Sequence, residues 1–210
     1  KETVGSAVTL AEFSIPDEYL CVADPQTPRE LPGRFDTKLQ ELPAEVLRKL
    51  AHGFIEEARK DGRVSIDTGD VSVNTSYSVI ANSKGLSVCD QTTRLAWSLM
   101  GMGKTETEVT SFDYLSGGTF QWEGSEEKIK ETATSLVNKL TKCFGAKAGE
   151  SYKGTVVLAP GALDYILLYP ISYHTGGRQI MDGKSLWEKE LGNAVASSNF
   201  TMIDNPFNLE

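Results

Sequence analysis

The stretch Val71-Ser72-Val73-Asn74-Thr75-Ser76-Tyr77-Ser78-Val79 alternates apolar and polar residues, and Val64-Ser65-Ile66 begins the same pattern upstream. Side chains of a strand point to opposite faces in turn, so this period of two predicts a half-buried sheet. Asn82-Ser83-Lys84-Gly85 reads as a turn into Leu86-Ser87-Val88, and β-favouring residues continue through Thr92 to Met100 and Val109 to Phe112. Loops this short cannot carry parallel crossovers, so the block must be an antiparallel meander.

Helices flank it. From Pro43 onward, Val46, Leu47, Leu50, Phe54, Ile55 and Ala58 recur at three- and four-residue steps, an amphipathic helix with proline at its start and Asp61-Gly62 at its end. Ser125 reads as an N-cap, with Glu126 and Glu127 in the first turn, before Ile129, Ala133, Leu136, Val137, Leu140 and Phe144; Gly145 stops this second helix. The expected fold is α+β: an antiparallel twisted sheet with amphipathic helices packed on one face. Residues 1–40 form a truncated helix from Thr3 to Phe13 and a connector punctuated by Pro16, Pro25, Pro28 and Pro32. Residues 41–150 carry the helix, strand block and helix. Residues 151–210 form a strand-helix segment, with Gly154 to Leu158 as a strand, Pro160 opening a helix, Ser185 to Val195 as a short helix and Phe200 to Ile203 as a last strand.

A net charge of -8 excludes a nucleic-acid or anionic-membrane surface, which needs clustered Lys and Arg. No apolar run approaches the ~20 residues that span a bilayer, and KETVGSAVTL has no signal-peptide architecture, so the chain reads as cytoplasmic. Cys21, Cys89 and Cys143 are odd in number and far apart, which predicts reduced, buried thiols and no zinc knuckle. The chain starts at Lys1 and ends just after Asp204-Asn205-Pro206, and it reads as a fragment trimmed at both ends.

Several short motifs have ordinary readings. Ser98 to Thr105, SLMGMGKT, resembles the end of a phosphate-binding loop, but serine stands where the first glycine belongs and the acidic, β-prone sequence that follows opens no helix. It reads as a glycine-rich turn between strands. The sequons at Asn74 and Asn199 are short chance patterns, and Glu56-Glu57 and Glu126-Glu127 read as solvated helix faces. His52 reads as a packing or surface residue. The remaining histidine is His174, in Leu167-Leu168-Tyr169-Pro170-Ile171-Ser172-Tyr173-His174-Thr175-Gly176-Gly177, between an apolar helix and a Gly-Gly break.

The order Gly154-Thr-Val-Val-Leu-Ala-Pro160, Leu167-Leu168, Gly177, Lys184-Ser185-Leu186-Trp187, Leu191-Gly192 and Ile203-Asp204-Asn205-Pro206 resembles the TldD/TldE (PmbA) family, sometimes labelled "modulator of DNA gyrase". The hairpin around Ala81 to Gly85 and the helix at 125–144 fit the same layout. In the TldD branch, the resemblance implies a His-Glu-Xaa-Xaa-Xaa-His motif after the Leu-Leu pair, with two zinc-binding histidines, a glutamate base and a third ligand from a later domain. Laid on this chain, the first His falls on Tyr169, the Glu on Pro170 and the second His on His174.

Tyrosine is a poor zinc ligand near neutral pH because its phenol titrates near ~10, and proline can neither take nor deliver a proton. Inside a helix Pro170 also deletes a backbone hydrogen bond and crowds the carbonyl of Ile166, at about 3 kcal/mol unless the helix kinks or ends there. The resemblance therefore implies the TldE/PmbA branch: a non-catalytic subunit without metal or catalytic residues, zinc residing in a TldD-type partner, and a complex that degrades or trims small unfolded peptides. It implies a heterodimer with that catalytic subunit, or a homodimer when alone. Extended peptides are commonly held by strand addition, which the 64–112 block could offer; which residues bind peptide is open. Two alternatives stand: an active peptidase with further ligands beyond Glu210, and a gyrase-associated binding or scaffold module without a peptidase role.

Overall fold

The computed structural model describes residues 1–17, 19–205 and 207. The chain divides into two compact units, one formed by Lys1–Ala146 together with the C-terminal Phe207–Glu210, of which only Phe207 is described, and one by Lys147–Pro206, of which Pro206 is not described.

The first unit is built on a three-stranded antiparallel sheet in the order β1-β2-β3, with β1 Val64–Ala81, β2 Ser87–Gly103 and β3 Asp113–Thr119. The two segments of alternating sequence are one long strand, joined by a bulge. Ile66 pairs with Gly101 and Thr68 with Met100, so Asp67 is an extra residue on β1. The bulge shifts the side-chain parity, placing Val64 and Ile66 on the same face as Gly69, Val71 and Val73. Opposite them Leu95, Trp97 and Leu99 of β2 are buried.

Two helices cover that face, as expected for the α+β fold. Helix α3, Ala44–Arg59, packs on β1 and on α4, Ser125–Thr141, which also covers β2 and β3. Phe54 and Ala58 from α3 meet Ile129, Ala133, Leu136 and Leu140 from α4 in one core with the β2 residues. Each such large apolar side chain contributes about 1.5–3 kcal/mol by leaving water. A short α2, Thr37–Gln40, adds Leu39, which is fully buried.

Glycines let these layers close. A Cβ on Gly69 would stand 3.1 Å from Leu99 Cδ1 and 3.2 Å from Ile55 Cγ1, so its absence admits helix α3. A Cβ on Gly117 would lie 2.5 Å from the Trp97 ring, which packs over that bare backbone. Gly117 and Gly118 therefore both lie within β3, while the strand expected at Val109 to Phe112 is reduced to one bridge between Lys104 and Val109. Ser98 to Gly103 is likewise the end of β2 and not a turn: a Cβ on Gly101 would meet the Ser65 carbonyl oxygen at 2.5 Å.

Ser125 is not the N-cap of α4. Gly124, with φ of +74°, takes that position, and the buried Ser125 Oγ has no partner among the described residues. The left-handed backbone that turns the chain into α4 suits glycine and strains any L side chain.

The helix α1 spans Glu2–Phe13, and among the described residues the proline-rich connector after it has no regular structure until α2. Nonetheless it is strapped along the β1–β2 hairpin. Asn82 Nδ2 donates to the Ala23 carbonyl at 2.8 Å, Lys84 meets Asp24 at 2.8 Å, and Arg34 meets Asp90 at 3.0 Å. The Thr93 amide donates to the Arg34 carbonyl at 3.0 Å, replacing the ladder partner that β3 no longer supplies.

All three cysteines are exposed, contrary to the expected buried thiols. Cys21 lies in the connector, Cys89 on the hairpin beyond the helical layer and Cys143 past the last core turn of α4, so none reaches the core.

In the second unit, Pro160 opens α5, Pro160–Leu163, which runs into a π-turn, Asp164–Leu168, and then α6, Tyr169–Thr175, and α7, Gly177–Met181. The expected strand from Gly154 to Leu158 does not form. A strand needs a ladder partner, and the described residues supply none, leaving Val157 92% exposed. Phe200 to Ile203 is irregular for the same reason, and Ser185 to Val195 forms turns in place of a helix, with Gly192 at φ +87° ending the segment's chance of a continuous spiral. Of the Asp204-Asn205-Pro206 stretch, Pro206 lies outside the described residues. No helix among the described residues is long and apolar enough to cross a membrane.

Candidate functional site

The helix carrying Tyr169, Pro170 and His174 is shaped by its proline. Pro170 has no N–H to offer a carbonyl one α-turn back, and its ring would press on the carbonyl of Ile166. The backbone answers with the π-turn immediately before it, in which the Tyr169 amide reaches Asp164 O, five residues back. Pro170 then sits in the first turn of α6, where its missing donor costs least. The expected kink or end is thus a change of hydrogen-bond register inside one continuous spiral.

The three positions differ in their surroundings. Tyr169 projects into solvent, 72% exposed. His174 is half-buried at the other end of α6, and its Nδ1 accepts the backbone N–H of Leu186 at 3.1 Å. That bond fixes Nδ1 as the unprotonated nitrogen of the ring. Ser185, nearly buried, donates its hydroxyl to the His174 carbonyl at 2.6 Å and accepts the Trp187 amide at 3.0 Å. The imidazole also contacts two aromatic rings, Tyr173 at 5.2 Å in edge geometry and Trp187 at 5.7 Å.

His174 is therefore a clasp between the end of α6 and the 184–187 loop. The amides of Lys184 and Ser185 add two bonds to the Gln179 carbonyl, at 2.8 and 3.1 Å. Asp182, at the end of α7, holds Lys184 at 3.0 Å and Arg178 Nε at 3.1 Å. The Lys184 hydrogen bond is the main cause that keeps its carboxyl below the ordinary value, against the opposing effect of burial. Ser185 and Trp187 are visible in the sequence only as part of the Lys184-Ser185-Leu186-Trp187 pattern; nothing there says that they serve a histidine.

Tyr169, Pro170 and His174 do not by themselves supply a zinc site. A catalytic site takes three protein ligands and an open position for water. Among the described residues no three His, Cys, Asp or Glu side chains stand close enough to share a metal. Of the nitrogens a metal could use at these positions, His174 Nδ1 is already committed to Leu186, and Pro170 has no group to serve as base.

The other sequence candidates are scattered. His52 is exposed on α3, Glu126 and Glu127 are exposed on α4, and Glu57 pairs with Lys60 at 2.7 Å on the surface of α3. The stretch 98–103 is strand and opens no helix, so it cannot cradle a phosphate.

Residues 37–149 match the profile of the PmbA/TldA metallopeptidase central domain, and residues 151–210 match that of the PmbA/TldA metallopeptidase C-terminal domain. The chain belongs to the TldD/TldE (PmbA) family. Two archaeal proteins are similar over most of it. An uncharacterized protein of Methanocaldococcus jannaschii is 28% identical over 195 residues, 91% of this chain and 43% of the relative. A protein of Methanothermobacter thermautotrophicus named metalloprotease is 26% identical over 167 residues, 79% of this chain and 37% of the relative. The chain thus spans less than half the length of these relatives.

Solved structures share the fold. TldE from Thermococcus kodakarensis superposes with a TM-score of 0.70 at 21% identity, covering 90% of this chain and 42% of that one. A Bacteroides thetaiotaomicron protein described as a candidate modulator of DNA gyrase gives 0.78 at 19% identity, covering 93% and 45%.

Proposed function

We propose that this chain is part of a non-catalytic, TldE-like subunit of a cytoplasmic TldD/TldE-type zinc metallopeptidase complex that degrades or trims small unfolded peptides. Its role is to help enclose and hold the peptide and to dock a TldD-type catalytic subunit, which carries the zinc. The observation that carries this reading is the state of the motif within a family framework: Tyr169 faces solvent, Pro170 stands where a base is needed, and His174 spends its Nδ1 on Leu186. A chain built this way contributes shape and backbone, and extended peptides are gripped through backbone groups of sheet edges. The relative named metalloprotease supports the peptidase setting.

The test measures zinc by elemental analysis of the purified chain, then peptide cleavage with and without a TldD-type protein. The expected result is no bound zinc, no cleavage by the chain alone and cleavage when the partner is present. Stoichiometric zinc with activity from this chain alone overturns the proposal and favours an active peptidase completed by further ligands. Recovery of gyrase with no TldD-type protein in a pull-down favours the scaffold reading instead.

A further inference from the structure

Three cations meet at one end of the sheet. Arg59, the last residue of α3, Arg63, just before β1, and Lys104, just after β2, line a cavity of about 860 Å³. Ser65 and Thr105 border it, and Glu106 is the one acid in its lining, which leaves an excess of two positive charges in a chain of net charge -8. The backbone holds these positions together. The Lys104 amide donates to the Arg63 carbonyl at 2.7 Å, the Val64 amide to the Asp61 carbonyl at 3.0 Å and the Thr105 amide to the Glu108 carbonyl at 2.8 Å. The Arg59 guanidinium and the Lys104 ammonium have no ion-pair or hydrogen-bond partner among the described residues. Arg63 is gripped on one edge: Asp61 takes its Nε at 3.0 Å and its Nη2 at 2.7 Å, which fixes the guanidinium plane and leaves Nη1 and one Nη2 hydrogen without a partner among the described residues. The neighbouring acids are engaged elsewhere, Glu57 with Lys60 at 2.7 Å and Glu108 with the Gly145 amide at 2.7 Å.

We propose that this cavity is a binding site for a phosphate group, free or carried by a small phosphorylated molecule. A dianion matches the excess charge of the lining. The open edge of Arg63 presents Nη1 and Nη2 hydrogens as a fork, the geometry that takes two oxygens of one phosphate, and Arg59 and Lys104 supply further charge-assisted donors. A carboxylate, with one charge and two oxygens, would leave part of that set unmatched. The volume falls within the range of roughly 300–1,000 Å³ usual for small-molecule sites, and Val64 and Ile66 give the cavity an apolar wall. Three cations serve one phosphate and fall short of the run that a nucleic-acid backbone needs. Lys104 and Thr105 are the end of SLMGMGKT: because β2 runs to Gly103, this segment offers the phosphate side chains and not the amides of a phosphate-binding loop. Such a site is independent of the proposed peptidase role.

The isotope-labelled 210-residue chain, in low-salt buffer, is titrated with inorganic phosphate, AMP, adenosine and acetate while backbone amide and arginine Nε–H signals are followed. Phosphate and AMP are expected to give saturable shifts at the Arg63, Lys104 and Thr105 amides and at the Arg59 and Arg63 side chains, and acetate at equal ionic strength none of comparable size. Phosphate binding as tight as AMP or tighter identifies the free ion as the ligand; tighter AMP binding, with adenosine silent, identifies a phosphorylated small molecule. Arg59→Gln and Lys104→Gln should each weaken binding by roughly threefold and together by roughly tenfold. Neither side chain has a partner within the described chain, so the thermal midpoint without phosphate should not change in these variants. Absence of saturation, equal shifts from acetate, or binding indifferent to both substitutions overturns the proposal. The shift map of the unsubstituted chain decides it even if a variant misfolds.

Discussion

His174 Nδ1 accepts the Leu186 amide at 3.1 Å, while its own carbonyl accepts the Ser185 hydroxyl at 2.6 Å. A single residue at the end of a seven-residue helix thereby fixes a loop that has no regular structure of its own. The side chain that family register would assign to a metal is occupied in holding the polypeptide.

Removing that acceptor should loosen the loop. His174→Ala is expected to leave the Leu186 amide unpaired and to destabilise the second unit by about 1–2 kcal/mol. The exchange rate of the Leu186 amide should rise accordingly. His174→Asn, whose Oδ1 can stand near the Nδ1 position, should recover part of the protection; equal loss in both variants would show that ring packing against Trp187, and not the hydrogen bond, holds the loop.

Pro170 explains the π-turn, so replacing it should abolish that turn. Pro170→Ala restores an N–H for the carbonyl one α-turn back and removes the ring from Ile166. The expected outcome is a regular α-helix from Pro160 to Thr175 and a gain in stability smaller than the roughly 3 kcal/mol of an unaccommodated interior proline, because the register change already relieves part of that cost. Chemical shifts and exchange rates of residues 164–169 would report the change; a persistent π-turn would place its cause elsewhere.

Gly117 should tolerate no side chain. A Cβ there lies 2.5 Å from Trp97, whose indole N–H donates to Thr132 Oγ1 at 2.9 Å and so cannot tilt away freely. Gly117→Ala is expected to cost about 1–3 kcal/mol in denaturant unfolding through overpacking. In the Trp97→Leu background the penalty should shrink, which separates a clash with the indole from the general effect of substituting glycine in a strand.

Asp61 offers a test in pH. Its carboxylate accepts the Arg63 amide at 3.0 Å and the Arg63 guanidinium at 3.0 and 2.7 Å, and the side-chain hydrogen bond to Arg63 is the first cause of a pKa lowered to about 2. A depressed folded-state value means that the stabilisation is complete above the ordinary carboxylate range and fades as pH falls through it towards about 2. The urea midpoints of wild type and Asp61→Asn should therefore differ at neutral pH and converge on acidification. A difference independent of pH would mean that the loop shape, and not the charge, is what Asp61 supplies.

Much of the first unit was legible because its determinants are local and periodic. The apolar spacing from Val46 to Ala58 and from Ile129 to Leu140 can satisfy only a helix with one buried face, and the alternation from Val71 to Val79 only a strand. The turn at Asn82 to Gly85 then leaves antiparallel pairing as the sole connection. The resemblance to the TldD/TldE family was legible too, because it rests on the order of residues along the chain.

What the chain order could not reveal depends on neighbours distant in sequence. The Asp67 bulge merges two alternating segments into one strand because both must face the same helices. Gly117 is the middle of a strand because Trp97 needs its space, and Gly154 to Leu158 remains unpaired because no described strand lies beside it. The proline-rich connector is strapped to the hairpin by bonds across some 60 residues of sequence. Sequence alone determined which segments seek burial and which residue types stand at positions 169, 170 and 174. Only the tertiary structure decided that His174 closes a loop, since a hydrogen bond to Leu186 depends on where the chain returns in space.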